Sequence, residues 1–228
     1  MQQIAHRGVH HNHPENSLAA FAASVESGIF SVETDLRLAS DGTIVLFHDR
    51  LVGDRRVESL TRAELSQVIG YPVPRLAEAL DAFPQIQWFL ELKTPEVLES
   101  ALAIVGPRVE THNLMLISFW HATIVEAAES IDIDLGFSLG NSSLGVLEAA
   151  GVARDRHPCI NTIIWNYEFL DAEMLHQAQT NSWRNLVFNT LSATDDLHCM
   201  ALNVDGVITD RPDAATSFGE SATARGHR

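Results

Sequence analysis

Phe30-Ser31-Val32-Glu33-Thr34-Asp35-Leu36, followed closely by Ile44-Val45-Leu46-Phe47, is the stretch on which the fold turns. β-branched and aromatic residues mark it as a strand, and side chains on a strand alternate between faces. Glu33 and Asp35 therefore share one face, with Val32, Thr34 and Leu36 on the other. Neighbouring carboxylates repel unless something neutralises them. A hard divalent cation, which prefers oxygen ligands, would do so; a solvent-facing edge or an ion pair with Arg37 would serve as well. The link Ala39-Ser40-Asp41-Gly42-Thr43 is too short for a crossover helix. It is either a hairpin carrying one extra strand or a barrel unit that has lost its helix.

Working outward, short β-rich runs alternate with amphipathic helical patterns. Strands are expected at Gln3–Ala5, Phe30–Leu36, Ile44–Phe47, Trp88–Leu92, Leu114–Ser118, Leu135–Ser138, Thr162–Trp165, Leu186–Phe188 and Val207–Ile208. Helices are expected at Ser17–Glu26, Thr61–Val68, Leu76–Ala82, Glu96–Val105, His121–Glu129, Leu144–Ala153, Ala172–Gln179 and Asp195–Ala201. In the first helix Leu18, Phe21, Ala22 and Val25 recur at helical spacing, Asn16 or Ser17 is placed to cap the start, and Gly28 to end it. Such alternation implies crossover connections and a parallel sheet. Residues with chemical potential fall at the C-terminal ends of several strands, where a (β/α)8 TIM barrel assembles its site. The expected class is α/β, a TIM barrel with little or no inserted subdomain. It forms one domain over residues 1–216, followed by a flexible tail over 217–228.

Gln87-Trp88-Phe89-Leu90-Glu91-Leu92-Lys93 repeats the same-face pattern. Glu91 sits between large apolar residues, and a carboxylate buried there must be paired or metal-bound. Lys93 faces the same side, so the two are a strand-end ion pair or part of a metal site. His6 ends the first strand, just before Arg7, and His48 follows Phe47 at the end of another. Histidine is the natural acid or base near neutral pH, and arginine grips phosphate through two nitrogens. His10, His11 and His13 form a second cluster. Although His11-Asn12-His13 has the spacing of some zinc sites, it lies in a loop before Pro14 and is read as loop histidines.

The chain has 46% hydrophobic and 20% charged residues, ordinary for a globular protein, but a net charge of -15. That charge disfavours non-specific nucleic-acid binding and docking on anionic membranes. A phosphate-bearing ligand would need a local site of metal or placed cations. Cys159 and Cys199 have no metal spacing and are read as reduced thiols. No basic-apolar leader and no span of roughly 20 apolar residues is visible, so a cytoplasmic location is expected.

Taken together, Ala5-His6-Arg7-Gly8, Pro14-Glu15-Asn16-Ser17-Leu18-Ala19-Ala20-Phe21, Glu33-Thr34-Asp35, Asp41-Gly42, His48-Asp49 and Leu90-Glu91-Leu92-Lys93 closely resemble the glycerophosphodiester phosphodiesterase family. Ser118-Phe119 and Val204-Asp205-Gly206-Val207-Ile208-Thr209-Asp210-Arg211-Pro212 look like its later markers, so the resemblance runs from His6 to about Asp213. It implies an eight-stranded β/α barrel hydrolysing small glycerophosphodiesters to glycerol 3-phosphate and an alcohol. By position, Glu33, Asp35 and Glu91 would hold one Mg²⁺ or Ca²⁺. His6 and His48 would be acid and base, with Arg7 and Lys93 on the phosphate. Glu15 and Asn16 would support that shell. The chain departs from the family where Leu51–Arg56 replaces an Arg-Thr-Thr-like segment, and where Leu186-Val187-Phe188-Asn189 replaces Trp-Thr-Val-Asn, so that the aromatic is lost or displaced. A related phosphatidylinositol- or sphingomyelin-cleaving barrel is the alternative enzyme reading, and a non-catalytic phosphodiester-binding barrel the alternative from another class.

Overall fold

The structure, a computed structural model, describes residues 1–141 and 145–212. Leu144, the expected start of the sixth helix, lies outside the described residues, as do 213–216 of the expected domain and the expected tail, 217–228.

The strands are β1 (Gln2–His6), β2 (Ser31–Leu38), β3 (Ile44–Leu46), β4 (Leu51–Val52), β5 (Arg55–Arg56), β6 (Gln87–Leu92), β7 (Asn113–Ser118), β8 (Asp134–Leu139), β9 (Ile160–Asn166), β10 (Arg184–Phe188) and β11 (Gly206–Thr209). Eight of them pair in parallel in the order β1-β11-β10-β9-β8-β7-β6-β2, and β2 returns to β1 through Ala5 beside Val32 and His6 beside Glu33. The sheet is a closed (β/α)8 TIM barrel. Closure removes the open edges that an eight-stranded sheet would otherwise expose. The ninth expected strand is β3, antiparallel to β2 with Leu36 opposite Leu46. The short Ala39–Thr43 link is thus a hairpin carrying one extra strand, not a barrel unit that has lost its helix.

The helices are α1 (Leu18–Glu26), α2 (Arg62–Ile69), α3 (Leu76–Ala82), α4 (Leu98–Val105), α5 (His121–Ala128), α6 (Val146–Arg156), α7 (Ala172–Thr180) and α8 (Ala193–Ala201). Alternation along the strands builds two cores. On β6, Trp88, Leu90 and Leu92 face the helices, while Phe89 faces the barrel axis with Ile4, Met115, Ile117, Ile164, Leu186 and Ile208. Gly136 lies at the crowded axis, where an added Cβ would approach Ile164 Cδ1 to 2.7 Å and Met115 Cε to 2.9 Å. A larger residue would force this layer apart.

The path from β3 to β6 holds the β4–β5 hairpin, which sequence patterns did not show, followed by α2 and α3. Ala39, Val45, Val57, Leu60, Leu65 and Val73 form a satellite core beneath it. Two-residue strands are too short to leave a periodic signal. The satellite core is small, in keeping with a barrel bearing little insertion.

Candidate active site

The barrel axis is apolar through its middle and becomes ionic at the C-terminal mouth. His6, Glu33 and Glu91 follow inward-facing positions of β1, β2 and β6. The mouth opens into a pocket of about 260 Å³ that all three line, together with Arg7, His48 and Lys93. Asp35 does not line it but is 1% exposed and in contact with Lys93 and Arg7. The seven residues picked from separate strand ends therefore converge.

The first turn is shaped by backbone geometry. Arg7 (φ 58°) and Gly8 (φ 81°) are both left-handed, and a Cβ at Gly8 would sit 2.9 Å from Ala20. A left-handed non-glycine residue costs roughly 1–2 kcal/mol. Arg7 is held there by its amide donating to the Glu33 carbonyl at 2.8 Å and its own carbonyl accepting from the Asn16 amide at 3.0 Å. Its side chain then reaches both oxygens of Glu15 at 2.9 Å. Arg7 Nε lies 3.2 Å from Asp35 Oδ2 but makes no aligned hydrogen bond.

Asn16 is also left-handed, with φ 54°. Ser17, not Asn16, caps α1, accepting from the Ala20 amide at 3.1 Å. That frees the Asn16 amide to donate to Asp35 Oδ2 at 2.8 Å and its oxygen to accept from Thr34 Oγ1 at 2.6 Å. Lys93 Nζ lies between Glu91 Oε1 at 2.8 Å and Asp35 Oδ1 at 3.1 Å. The strand-end ion pair and the acidic cluster are thus one arrangement.

Glu33 stands apart. It is 2% exposed, and neither carboxylate oxygen has a hydrogen-bond partner. The nearest basic nitrogen to it is His6 Nε2, 3.9 Å from Oε2. Burial first, then the charges of Asp35 and Glu91, push its carboxyl well above the usual range. Burial also raises Glu91 despite Lys93. For Asp35 burial acts upward too, but Lys93, Arg7, His48 and the Asn16 hydrogen bond outweigh it and hold the carboxyl low. Glu33, Asp35 and Glu91 each offer an oxygen within 4.8 Å of the others. Two buried carboxylates and a partly buried third, with both oxygens of Glu33 unpartnered, are the donor set a hard divalent cation prefers. Among the described residues no other group of this kind occurs.

His48 is positioned from behind. Arg37, 6% exposed near the C-terminal end of β2, donates to the His48 carbonyl from Nε at 2.9 Å and Nη2 at 2.8 Å, and to Glu58 at 2.8 Å. Arg37 thus anchors the loop and does not neutralise Glu33 or Asp35. His48 Nδ1 bonds Asp49 at 2.9 Å. His6 Nδ1 bonds Asp210 Oδ1 at 2.6 Å. Asp210 and Arg37 were missed as site residues; a contact across 204 positions leaves no local periodicity, although Asp210 does follow the last barrel strand directly. His11 and His13 are exposed in the loop before Pro14 and belong to no ligand group among the described residues.

The far wall of the pocket is apolar. Phe119 and Phe188 pack edge to face there, with centroids 5.7 Å apart, beside Ile117, Ile164 and Leu191. The aromatic expected at Leu186 is displaced, not lost: Phe188 faces the same way one layer nearer the mouth.

Residues 6–132 match the sequence model of the glycerophosphoryl diester phosphodiesterase family, which covers more than half of the chain. The chain belongs to this family. A glycerophosphodiester phosphodiesterase of Caldanaerobacter subterraneus is 22% identical over 92% of this chain and 94% of its own. One of Bacillus altitudinis is 26% identical over 95% of this chain and 97% of its own. Among solved structures, an Oleispira antarctica phosphodiesterase in complex with the product sn-glycerol-3-phosphate superimposes with a TM-score of 0.79. It is 25% identical and covers 93% of this chain and 94% of that one. The mouth described above is the place in this family member where the pocket, the histidines and the acidic cluster coincide. No helix among the described residues is long and apolar enough to cross a membrane.

Proposed function

We propose that this family member hydrolyses small glycerophosphodiesters to glycerol 3-phosphate and an alcohol, with one divalent cation, Mg²⁺ or Ca²⁺, held by Glu33, Asp35 and Glu91. The observation that carries this reading is the unpartnered, buried carboxylate of Glu33 beside two histidines in one pocket. When bound, the cation would polarise the phosphoryl oxygens and balance charge in the transition state.

The chain's own groups account for the rest. Arg7 and Lys93 present positive charge to the phosphate, each pre-oriented by carboxylates that are themselves fixed. His6 and His48 both line the pocket, one to take a proton from the attacking oxygen and the other to give one to the leaving oxygen. Glu15 steadies Arg7, and Asn16 steadies Asp35. The apolar wall of Phe119 and Phe188 borders the organic part of the substrate. We also read the enzyme as a single catalytic domain over residues 1–216, acting in the cytoplasm with Cys159 and Cys199 free.

The test is hydrolysis of glycerophosphocholine, glycerophosphoethanolamine, phosphatidylinositol and sphingomyelin, each with and without EDTA. Turnover of the small diesters that EDTA abolishes and Mg²⁺ or Ca²⁺ restores is expected. Turnover of the intact lipids alone would move the assignment to a lipid-cleaving barrel, and no EDTA-sensitive turnover of any substrate would refute it.

A further inference from the structure

Asp210 follows β11, the last strand of the barrel, and lies at the pocket rim with its side chain half exposed. Its single side-chain hydrogen bond among the described residues goes to His6 Nδ1, at 2.6 Å. His10, the loop histidine nearest to it, approaches the same oxygen only to 3.8 Å, and its Nδ1 is engaged by the Gly8 carbonyl at 2.9 Å. The carboxylate is therefore committed to His6.

That commitment has a chemical consequence. A neutral imidazole carries one N–H and one lone pair, while a carboxylate only accepts. The hydrogen between His6 and Asp210 must then sit on Nδ1, and Nε2 is left with its lone pair at the pocket side, 3.9 Å from Glu33 Oε2. We propose that Asp210 is a positioning residue for the phosphodiesterase reaction, fixing the ring orientation and the Nδ1–H tautomer of His6 so that Nε2 faces the reacting phosphate. This rests on the reading of His6 as a proton carrier. When Nε2 takes a proton from an attacking O–H, that bond breaks, its electron pair stays on oxygen, and the new ring cation remains paired with Asp210. The carboxyl is itself held below the usual carboxylate range, first by the His6 hydrogen bond and then by the charges of His6, His10 and Arg7, against an opposing effect of burial.

Two measurements test this, one of them independent of activity. Nitrogen-15 histidine spectra of the metal-free protein at pH 8, with His6 assigned by its loss in His6→Ala, should show His6 as the Nδ1–H tautomer. A predominant Nε2–H tautomer in the unaltered protein would overturn the proposal whether or not the substrate assignment stands. In the second, Asp210→Asn is expected to lower kcat by roughly 10²-fold or more, the scale of a lost general acid–base contribution, with KM changed less than about threefold. Asp210→Glu should recover part of kcat, and His10→Ala should stay within about threefold of the unaltered enzyme. An Asp210→Asn kcat within threefold of the parent would overturn the proposal, as would an equal loss in His10→Ala. If Asp210→Asn misfolds by circular dichroism, the spectra and Asp210→Glu still decide.

Discussion

Glu33→Gln separates stability from function at one atom pair. Glu33 is 2% exposed with both oxygens unpartnered, and Asp35 and Glu91 add like charge beside it. An unpaired buried polar group costs about 1–3 kcal/mol, and an ionised one more. Glutamine keeps the shape, removes the charge and brings N–H groups that neighbouring carboxylates can accept. With a relief of about 2 kcal/mol and about 2–4 °C per kcal/mol for a domain of this size, the metal-free variant should melt roughly 4–8 °C above its parent at pH 7.5. In the same calorimetric series, saturating Mg²⁺ or Ca²⁺ should stabilise the parent and leave the variant unmoved, and the variant should have lost diester turnover. A mutation that raises stability while abolishing activity is the mark of a carboxylate kept for a cation. A metal-free variant that melts at or below its parent, or that gains as much from the cation as the parent does, would refute the reasoning.

Three further outcomes follow from the same geometry. The folded-state pKa of Glu33 is raised, so the stability linked to its proton is fully present below the ordinary Glu range and is lost as pH rises through the raised value. Melting of EDTA-treated protein should therefore fall from pH 5 toward pH 8 while the cation-induced gain grows; a gain that is flat or largest at pH 5 would contradict this. Asn16→Ala removes the bonds to Asp35 and Thr34 and leaves a left-handed alanine, costing roughly 2–4 kcal/mol by urea unfolding; a loss under 1 kcal/mol would remove Asn16 from the support of Asp35. His48→Ala should lower kcat by about 10²–10⁴-fold with unchanged far-ultraviolet circular dichroism, whereas His11→Ala should alter neither turnover nor metal affinity.

Much of the barrel follows from local patterns. Alternation on β2 and β6 places Glu33, Asp35 and Glu91 on inner faces because the strand repeat is two residues, a property of the chain alone. The order of strands and helices, and the placing of His6, Arg7, His48 and Lys93 at strand ends, are likewise readable from one dimension. What the chain alone left open is long-range. Whether Ile44–Leu46 belonged to the barrel or to a hairpin depended on which neighbour β2 pairs with, and closure through β1 decided it. Whether Asn16 or Ser17 capped α1 depended on the nearby Asp35, which captures Asn16. The sequence by itself determined the set of charges and the faces they occupy. Only the tertiary structure decided which carboxylates are partnered by Lys93, Arg7 and Asn16, that Glu33 is left bare, and that Asp210 meets His6. The physical reason is that pairing depends on distances of a few ångströms between strands that closure alone makes neighbours.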